Sequence, residues 1–600
     1  MVEPRLRWIF PEPLTLEPGL RAAGERLGLS LRLTELLAAR GLRDAAELEA
    51  FFADPAAGLH DPRLLPDSGK FLARIVEARR SGERVMVFGD FDADGLTGLA
   101  IMTLALRRLG LTVEPYVPSR LEEGHGLSVA AVERASAVGA TVIITVDCGT
   151  TSVAEIAAAN TVGIDVLVTD HHRVPAVLPA AVAVVNPHRP DAAYPDRRLT
   201  GSGIALKLAQ LLLADDADDA DGPGAALDLT DLAAIGTVAD VAPVLGENRS
   251  IARLGLERIR GGRRPGIAAL LARAGIEAAG ADLETIGFAI APRLNAAGRI
   301  GEAAEAARLL LAEDPAEAAV LADRLEAANR TRRDLTRTAI EEARRAVGGD
   351  GGDATTGGPS ATLVRGDWPV GIVGLVASKL ADDLGRPAIV GANLGATVRA
   401  SCRSDGVLDL GATLAGCADL LIRHGGHAGA AGFELPVERW EAFRERFLVL
   451  AAVGGATDRR PVARLDLAVP AAAVGYDLQR ELARLAPCGP GNPDPLVAIL
   501  GLTVTRVRAA TGGHTQLTLR RVRDVLDGIA FDRGDLAGQV AEGDRLDVVG
   551  RIVSRRFGGL ETLQIEIRDV ARSGHHPEAA AVLASAAVDA NAVAIAGPAT

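Results

Sequence analysis

The run Val85-Met86-Val87-Phe88-Gly89-Asp90-Phe91-Asp92-Ala93-Asp94-Gly95 decides how this chain is read. An apolar segment ends in glycine, three aspartates follow on alternate residues, and a helical pattern over Leu96–Leu109 begins directly after them. That succession is a buried strand feeding a helix. A lone pair of alternate aspartates is usually a solvated turn. Three like charges at one strand end are unfavourable unless a cation sits among them.

Two more strands end in the same way. VIITV (142–146) runs into Asp147, and VLVT (166–169) runs into Asp170-His171-His172. AVAVV (181–185) is a further apolar run, and Val129–Val138 reads as an intervening helix. Strands alternating with amphipathic helices predict an open, mainly parallel α/β sheet, which binds ligands outside the carboxyl ends of its strands. A fourth acid, Asp240, lies in the apolar stretch GTVADVAPV, where an unpaired carboxylate is costly. Carboxylates with imidazole suit Mn²⁺, with Mg²⁺ as the second candidate. Two such ions can clamp the attacking and leaving oxygens of a phosphoryl displacement. A zinc hydrolase is the chemical rival, but it has no need of so many aspartates.

The chain has 600 residues, which suits three to five domains, and its hydrophobic fraction of 48% is enough to bury sizeable cores. No apolar run reaches the roughly 18 residues that span a bilayer. The opening MVEPRLRWIFPEP has a charge but no apolar stretch behind it, so no signal peptide is expected. Cys148, Cys402, Cys417 and Cys488 are scattered without paired spacing, which suits a reducing cytoplasm. The net charge of −13 argues by itself against a nucleic-acid partner. Net charge averages over the surface, however, and a local basic channel can coexist with an acidic body.

Further along, Ala214–Gly224 (ADDADDADGPG) reads as a surface insertion. Glu302–Val347, free of proline except Pro315, reads as one or two long helices. A Gly-rich linker at 348–360 is the clearest boundary, followed by a second α/β unit. Short alternating segments around 459–570, among them LTVTRVRA, TQLTLRRV, RLDVVGRIV and LQIEIRDV, predict a small β-barrel. The Ala-rich tail from 573 is expected to be disordered.

GDFDADGLTG, VDCGT, DHH and GTVADVAP resemble, in order, the four motifs of the DHH phosphoesterase family. Within it, the chain resembles the RecJ exonucleases from about residue 40 to 570. The supporting segments are VPSRLEEGHG (117–126), APRLNAAGRIGEA (291–303), GIVGLVASKL (371–380), RASCRS (399–404), GGHAGAAG (425–432) and LAPCGPGNPDP (485–495).

The resemblance implies an N-terminal helical extension (1–70), a DHH catalytic domain (71–300), connecting helices (301–347) and the linker. A DHH-associated domain (361–455), an OB-fold (459–572) and the tail would follow. It implies Asp92, Asp94, Asp147, His171 and Asp240 as metal ligands, with Asp147 as the bridge and Asp90 as a further ligand or a tuning neighbour. His172 would face the scissile phosphate, as a hydrogen-bond donor or second ligand. Arg120, Arg299, Ser401 and Arg403 would hold a terminal 5′ phosphate, and Gly425, Gly426 and His427 would approach a phosphate through backbone and imidazole.

One departure is Cys402, in RASCRS, where the family carries a small residue. On the barrel, Arg506, Arg508, Arg551, Arg555 and Phe557 are the nucleic-acid candidates. Aromatics are few, so binding there is expected to be mostly electrostatic.

The function so implied is a single-stranded-DNA-specific 5′-to-3′ exonuclease of recombination and repair, using two divalent ions. A monomer is expected, with single-strand-binding protein and a helicase as candidate partners. One alternative is a DHH phosphodiesterase for short oligonucleotides or cyclic dinucleotides, which generally lacks an OB-fold. The other is an inert DNA-binding scaffold, which would show eroded ligands.

Overall fold

The computed structural model describes residues 2–120, 123–214, 222–348, 360–404, 408–453, 461–557, 560–579 and 582. The acidic patch at 215–221, most of the expected linker (349–359) and most of the expected tail lie outside the described residues, whereas 573–579 are described and His576 stacks on Trp8, so the tail expected to be disordered from 573 is ordered at its start. The chain forms two compact units, Pro55–Arg459, and Met1–Asp54 together with Arg460–Thr600.

The first unit is built on a five-stranded, wholly parallel sheet. Its spatial order is Thr112–Tyr116, Arg84–Gly89, Ala140–Val146, Asp165–Thr169 and Ala183–Val185. The central strands are buried on both faces, as their unbroken Val and Ile runs require. Thr112–Tyr116 escapes a sequence reading because Pro115 interrupts it. A proline is tolerated there because the strand lies at the sheet edge.

Ala93–Arg108 covers the sheet and carries almost no polar face. It is enclosed by Gly201–Ala214 and Thr230–Ala239 on its far side, in one core with the sheet.

Pro315 starts a helix rather than breaking one. The Asp314 carboxylate accepts from the amides of Ala316 and Glu317, and Pro315–Gly348 then runs for 34 residues. The helix begins in the core of the parallel sheet (Leu321, Leu325) and ends against a second core (Ala339, Ala343). That second core underlies a mixed sheet ordered Arg423–Gly426, Ala430–Pro436, Thr397–Arg403, Ala388–Leu394, Thr362–Gly366. This is the smaller α/β half that the sequence predicts.

In the second unit, the strands Val497–Ala510, His514–Arg521, Asp524–Ala530, Leu560–Arg572 and Arg545–Phe557 pair in turn. Arg545–Phe557 pairs back onto Val497–Ala510, closing the expected barrel. The N-terminal segment contains three helices and also a strand, Arg7–Ile9, that pairs in parallel with Val462–Arg464. Trp8 donates to Asp569 at 2.9 Å and anchors that segment on the barrel. Among the described residues, no helix is long and apolar enough to cross a membrane.

Candidate metal centre

Parallel register brings the acids together. Gly89 pairs with Val146 and Val146 with Thr169, so the residues that follow them, Asp90, Asp147 and Asp170, emerge side by side at the carboxyl edge. Asp147 leaves its strand with φ +64°, a left-handed conformation that aspartate tolerates better than most residues. Asp92 caps the helix Ala93–Arg108, accepting from the amides of Asp94 and Gly95 at 3.0 and 3.1 Å. Asp94 sits at the start of another helix, accepting from Gly201 at 2.6 Å and Ser202 at 3.0 Å. Asp240 ends the helix Thr230–Ala239, and the next residue, Val241, is held at φ +58°, a strained turn for a β-branched side chain.

His171 joins these groups. Its Nε2 lies 3.0 Å from Asp147 Oδ1, 3.9 Å from Asp94 Oδ2 and 4.0 Å from Asp240 Oδ2. Three sets of donor atoms each fall within 4.8 Å of one another: Asp147, His171 and His172; Asp94, His171 and Asp240; Asp90, Asp92 and Asp147. Asp147 and His171 each belong to two of the three sets.

The acids repel one another out of water. Burial, with Asp92 beside it, pushes Asp90 up to about 7. Burial, with Asp94 and Asp92, does the same to Asp240, and Asp147 is driven well above the usual carboxylate range. Asp90 Oδ1 is a buried acceptor without a hydrogen-bond donor among the described residues, and Asp147 Oδ1, likewise buried, has the His171 Nε2 at 3.0 Å but no aligned hydrogen bond. Carboxylates so placed suit a divalent cation.

Asp170 behaves differently. Burial alone would raise it, but the bond to His172 Nδ1 at 2.8 Å and the Thr150 amide bring it down to about 2. That same bond pushes His172 up to about 9 and fixes which ring nitrogen faces outward. The orienting role of Asp170 is invisible in sequence, as is that of Asn186, which donates to Thr150 Oγ1 and to the His172 carbonyl. Cys148 packs in the core under the sheet, its Sγ directed at the Val146 carbonyl, and it belongs to none of the three donor sets.

The basic residues gather nearby. Arg120 lies over the Phe91 ring, 4.9 Å from its centroid, and His125 meets the same ring edge-on at 4.6 Å. Arg299 donates to the Gly371 carbonyl at 2.8 Å. Burial, followed by the charges of Arg120 and Arg332 and, less strongly, Arg403, brings Arg299 down to about 10. A Cβ on Gly374 would stand 3.3 Å from Arg403 Nη2 and 3.5 Å from Ser401 Oγ, which places those two polar groups together.

Strand alternation explains Cys402. Val398, Ala400 and Cys402 point into the core, whereas Ser401 and Arg403 share the opposite, partly exposed face. The unusual side chain therefore leaves the polar face untouched. Gly426 (φ +135°) lies against Ala431, and His427 is exposed at the adjoining turn, its amide bonded to the Ala430 carbonyl.

The barrel residues lie in the other unit. Arg506 is exposed, and Arg508 bonds to Gln516. Arg551 is paired with Glu566 and Asp494, and Arg555 with Glu566, so these two are less free than their number in the sequence suggests. Phe531 is exposed beside His514, and the side chain of Phe557 lies outside the described residues.

Three family patterns match the chain: the DHH family N-terminal domain over residues 84–237, the DHHA1 domain over 357–451 and the RecJ OB domain over 465–569. The single-stranded-DNA-specific exonuclease RecJ of Bacillus subtilis is 34% identical over 581 residues, covering 96% of this chain and 72% of that protein. The Salmonella typhimurium protein of the same name is 35% identical over 555 residues, covering 90% and 95%. The crystal structure of RecJ from Thermus thermophilus in complex with Mn²⁺ superposes with a TM-score of 0.79 at 30% identity, covering 95% of this chain and 80% of that one. With agreement over this length in both sequence and structure, the chain belongs to the RecJ family.

Proposed function

We propose that this protein is a metal-dependent exonuclease specific for single-stranded DNA, hydrolysing phosphodiester bonds from the 5′ end in DNA recombination and repair. The observation that carries the reading is the trio of donor sets linked through Asp147 and His171, each of which belongs to two of them, with the Arg120, Arg299 and Arg403 charges converging beside them.

Asp92, Asp94, Asp147, His171 and Asp240 would hold two divalent ions, Mn²⁺ or Mg²⁺, with Asp90 adjoining them. The buried oxygens Asp90 Oδ1 and Asp147 Oδ1, which accept no aligned hydrogen bond, fit that role. When bound, such ions supply Lewis-acid stabilisation of phosphoryl charge and a more acidic attacking water. The protein's own groups do the positioning. His172, its Nδ1 held by Asp170, presents its other ring nitrogen to a phosphate oxygen and stabilises the charge that grows there. Arg120, Arg299, Ser401 and Arg403 grip the terminal phosphate, fixing the distance from the chain end to the bond that is cut. That grip makes the activity exonucleolytic. Gly425, Gly426 and His427 supply a close backbone approach to the phosphate, and the exposed barrel arginines a salt-sensitive hold on the strand.

The test is digestion of three substrates in Mn²⁺ or Mg²⁺: 5′-phosphorylated single-stranded DNA, blunt duplex, and a dinucleotide. Loss of the single strand from its 5′ end with duplex spared is expected. Cleavage of the dinucleotide alone would move the protein to the small-substrate branch.

A further inference from the structure

An apolar patch lies open beside the helix end that carries Asp240. Just before the helix Ala291–Ile300, the chain winds as a π-helical turn over Ile286–Ile290. Ile286 and Ile290 are held in the core, while Phe288 between them faces outward and is 82% exposed. No other large apolar side chain among the described residues is as exposed. Its neighbour Gly287 lies against the last turn before Asp240: a Cβ there would stand 3.7 Å from Val238 Cγ1. Val241 folds back on the same residue, its amide donating to the Val238 carbonyl at 3.1 Å, and is itself 67% exposed at φ +58°.

Single exposed apolar residues are ordinary on a protein surface. A π-helical turn and a valine at positive φ are not, and both recur at functional sites. Charge decides what covers this patch. The Ala289 carbonyl, next to Phe288, accepts from Arg293 Nη1 at 2.7 Å, and Arg293 Nε meets Glu326 Oε2 at 2.7 Å. Glu326 also faces Arg333 at 3.4 Å and Arg330 at 4.0 Å, so three guanidiniums share one carboxylate. The Arg330 and Arg333 side chains stay 70% and 55% exposed, and their excess charge is accessible. An open ring beside accessible, under-neutralised arginines suits single-stranded nucleic acid, the ring meeting a base and the charges the backbone. The patch is also continuous with the candidate metal centre, where such a strand would have to pass.

We infer that Phe288 is a stacking platform for one base of the single strand, with Val241 completing the apolar surface beside Asp240. The inference rests on the proposed single-strand activity and names a contact within it. Stacking requires no hydrogen bond from the strand, and every base has a face to offer, so the platform holds the strand without reading its sequence. Its place next to a candidate metal ligand lets it steady the strand close to the bond that is cut.

The experiment measures binding of the full-length protein to a 5′-phosphorylated oligothymidylate in EDTA, first intact and then with one abasic nucleotide walked inward from the 5′ end. Removing an aromatic platform costs about 5- to 150-fold per stacked base. F288A is expected to weaken binding of the intact strand within that range, at an unchanged salt dependence, whereas F288W binds as the wild type does. The ring is on the surface, so F288A should unfold at the wild-type temperature. In the wild type one abasic position should weaken binding by a similar factor, and in F288A that same position should make no further difference. An F288A affinity within twofold of the wild type, with the same abasic profile, overturns the inference alone. If F288A binds normally but dissolves a wild-type dimer in sedimentation, the patch belongs to a second copy and the inference falls. A wild-type protein that binds no single strand overturns the functional reading beneath it.

Discussion

The side-chain oxygen of Asn295 accepts a hydrogen bond from the Ala93 amide at 2.8 Å, inside the loop that carries Asp92 and Asp94. One turn further on, Arg299 of the same helix donates to the Gly371 carbonyl, at the start of the helix Val370–Leu384. The helix Ala291–Ile300 thus ties the carboxylate loop to the half of the unit that carries Ser401 and Arg403. Asn295→Ala is expected to lower kcat on single-stranded DNA about a hundredfold, because catalysis of this kind depends on geometry to within about an ångström. Circular dichroism should be unchanged. A kcat within twofold of wild type would show that the loop holds itself.

Asp170 touches no other carboxylate of the cluster through a hydrogen bond, yet it orients His172. Asp170→Asn keeps the shape and removes the charge. Loss of such an orienting partner typically costs about 10- to 100-fold in activity or metal affinity. Steady-state kinetics across a Mn²⁺ series separates the two effects. Unchanged kinetics at every metal concentration would remove Asp170 from the account.

Gly201 is forced by close approach. A Cβ there would stand 2.5 Å from Asp147 Cβ, and the Gly201 amide is also a donor to Asp94. Gly201→Ala must displace one candidate ligand or both, so activity should fall by about a hundredfold or more. Thermal unfolding would show only a modest loss of stability. Full activity in this variant would mean that the carboxylates have room that the structure denies them.

Cys402 supplies the converse case. Because its side chain fills the core face of its strand, Cys402→Gly should cost about 1–2 kcal/mol of stability and leave KM for 5′-phosphorylated DNA within twofold. A raised KM without lost stability would place the residue on the substrate face instead.

These cases show what sequence carries and what it does not. Strand ends and their acids are local, so Asp90, Asp92, Asp94, Asp147 and the His171-His172 pair could be read directly, and parallel register does the rest. Asp240 stood out because a carboxylate in an apolar run needs a reason. Asn295, Asn186 and His125 did not stand out, and Asp170 stood out as a strand-end acid but not as the partner that orients His172, because such roles lie in partners distant in sequence or in a tautomer that no spacing encodes. The edge strand Thr112–Tyr116 was hidden by Pro115, and the strand Arg7–Ile9 is too short to signal itself. The arginines of the barrel looked abundant, but sequence does not show that Glu566 binds two of them.

The central claim is that the cluster around Asp147 holds the ions that hydrolyse the strand. The most direct measurement is a Mn²⁺ titration followed by electron paramagnetic resonance, run beside digestion of 5′-phosphorylated single-stranded DNA, for the wild type and Asp147→Ala. The account predicts two bound ions and 5′-end digestion in the wild type. In the variant, at least one ion should be lost and digestion abolished, with circular dichroism unchanged. Two ions and undiminished digestion in Asp147→Ala would contradict it.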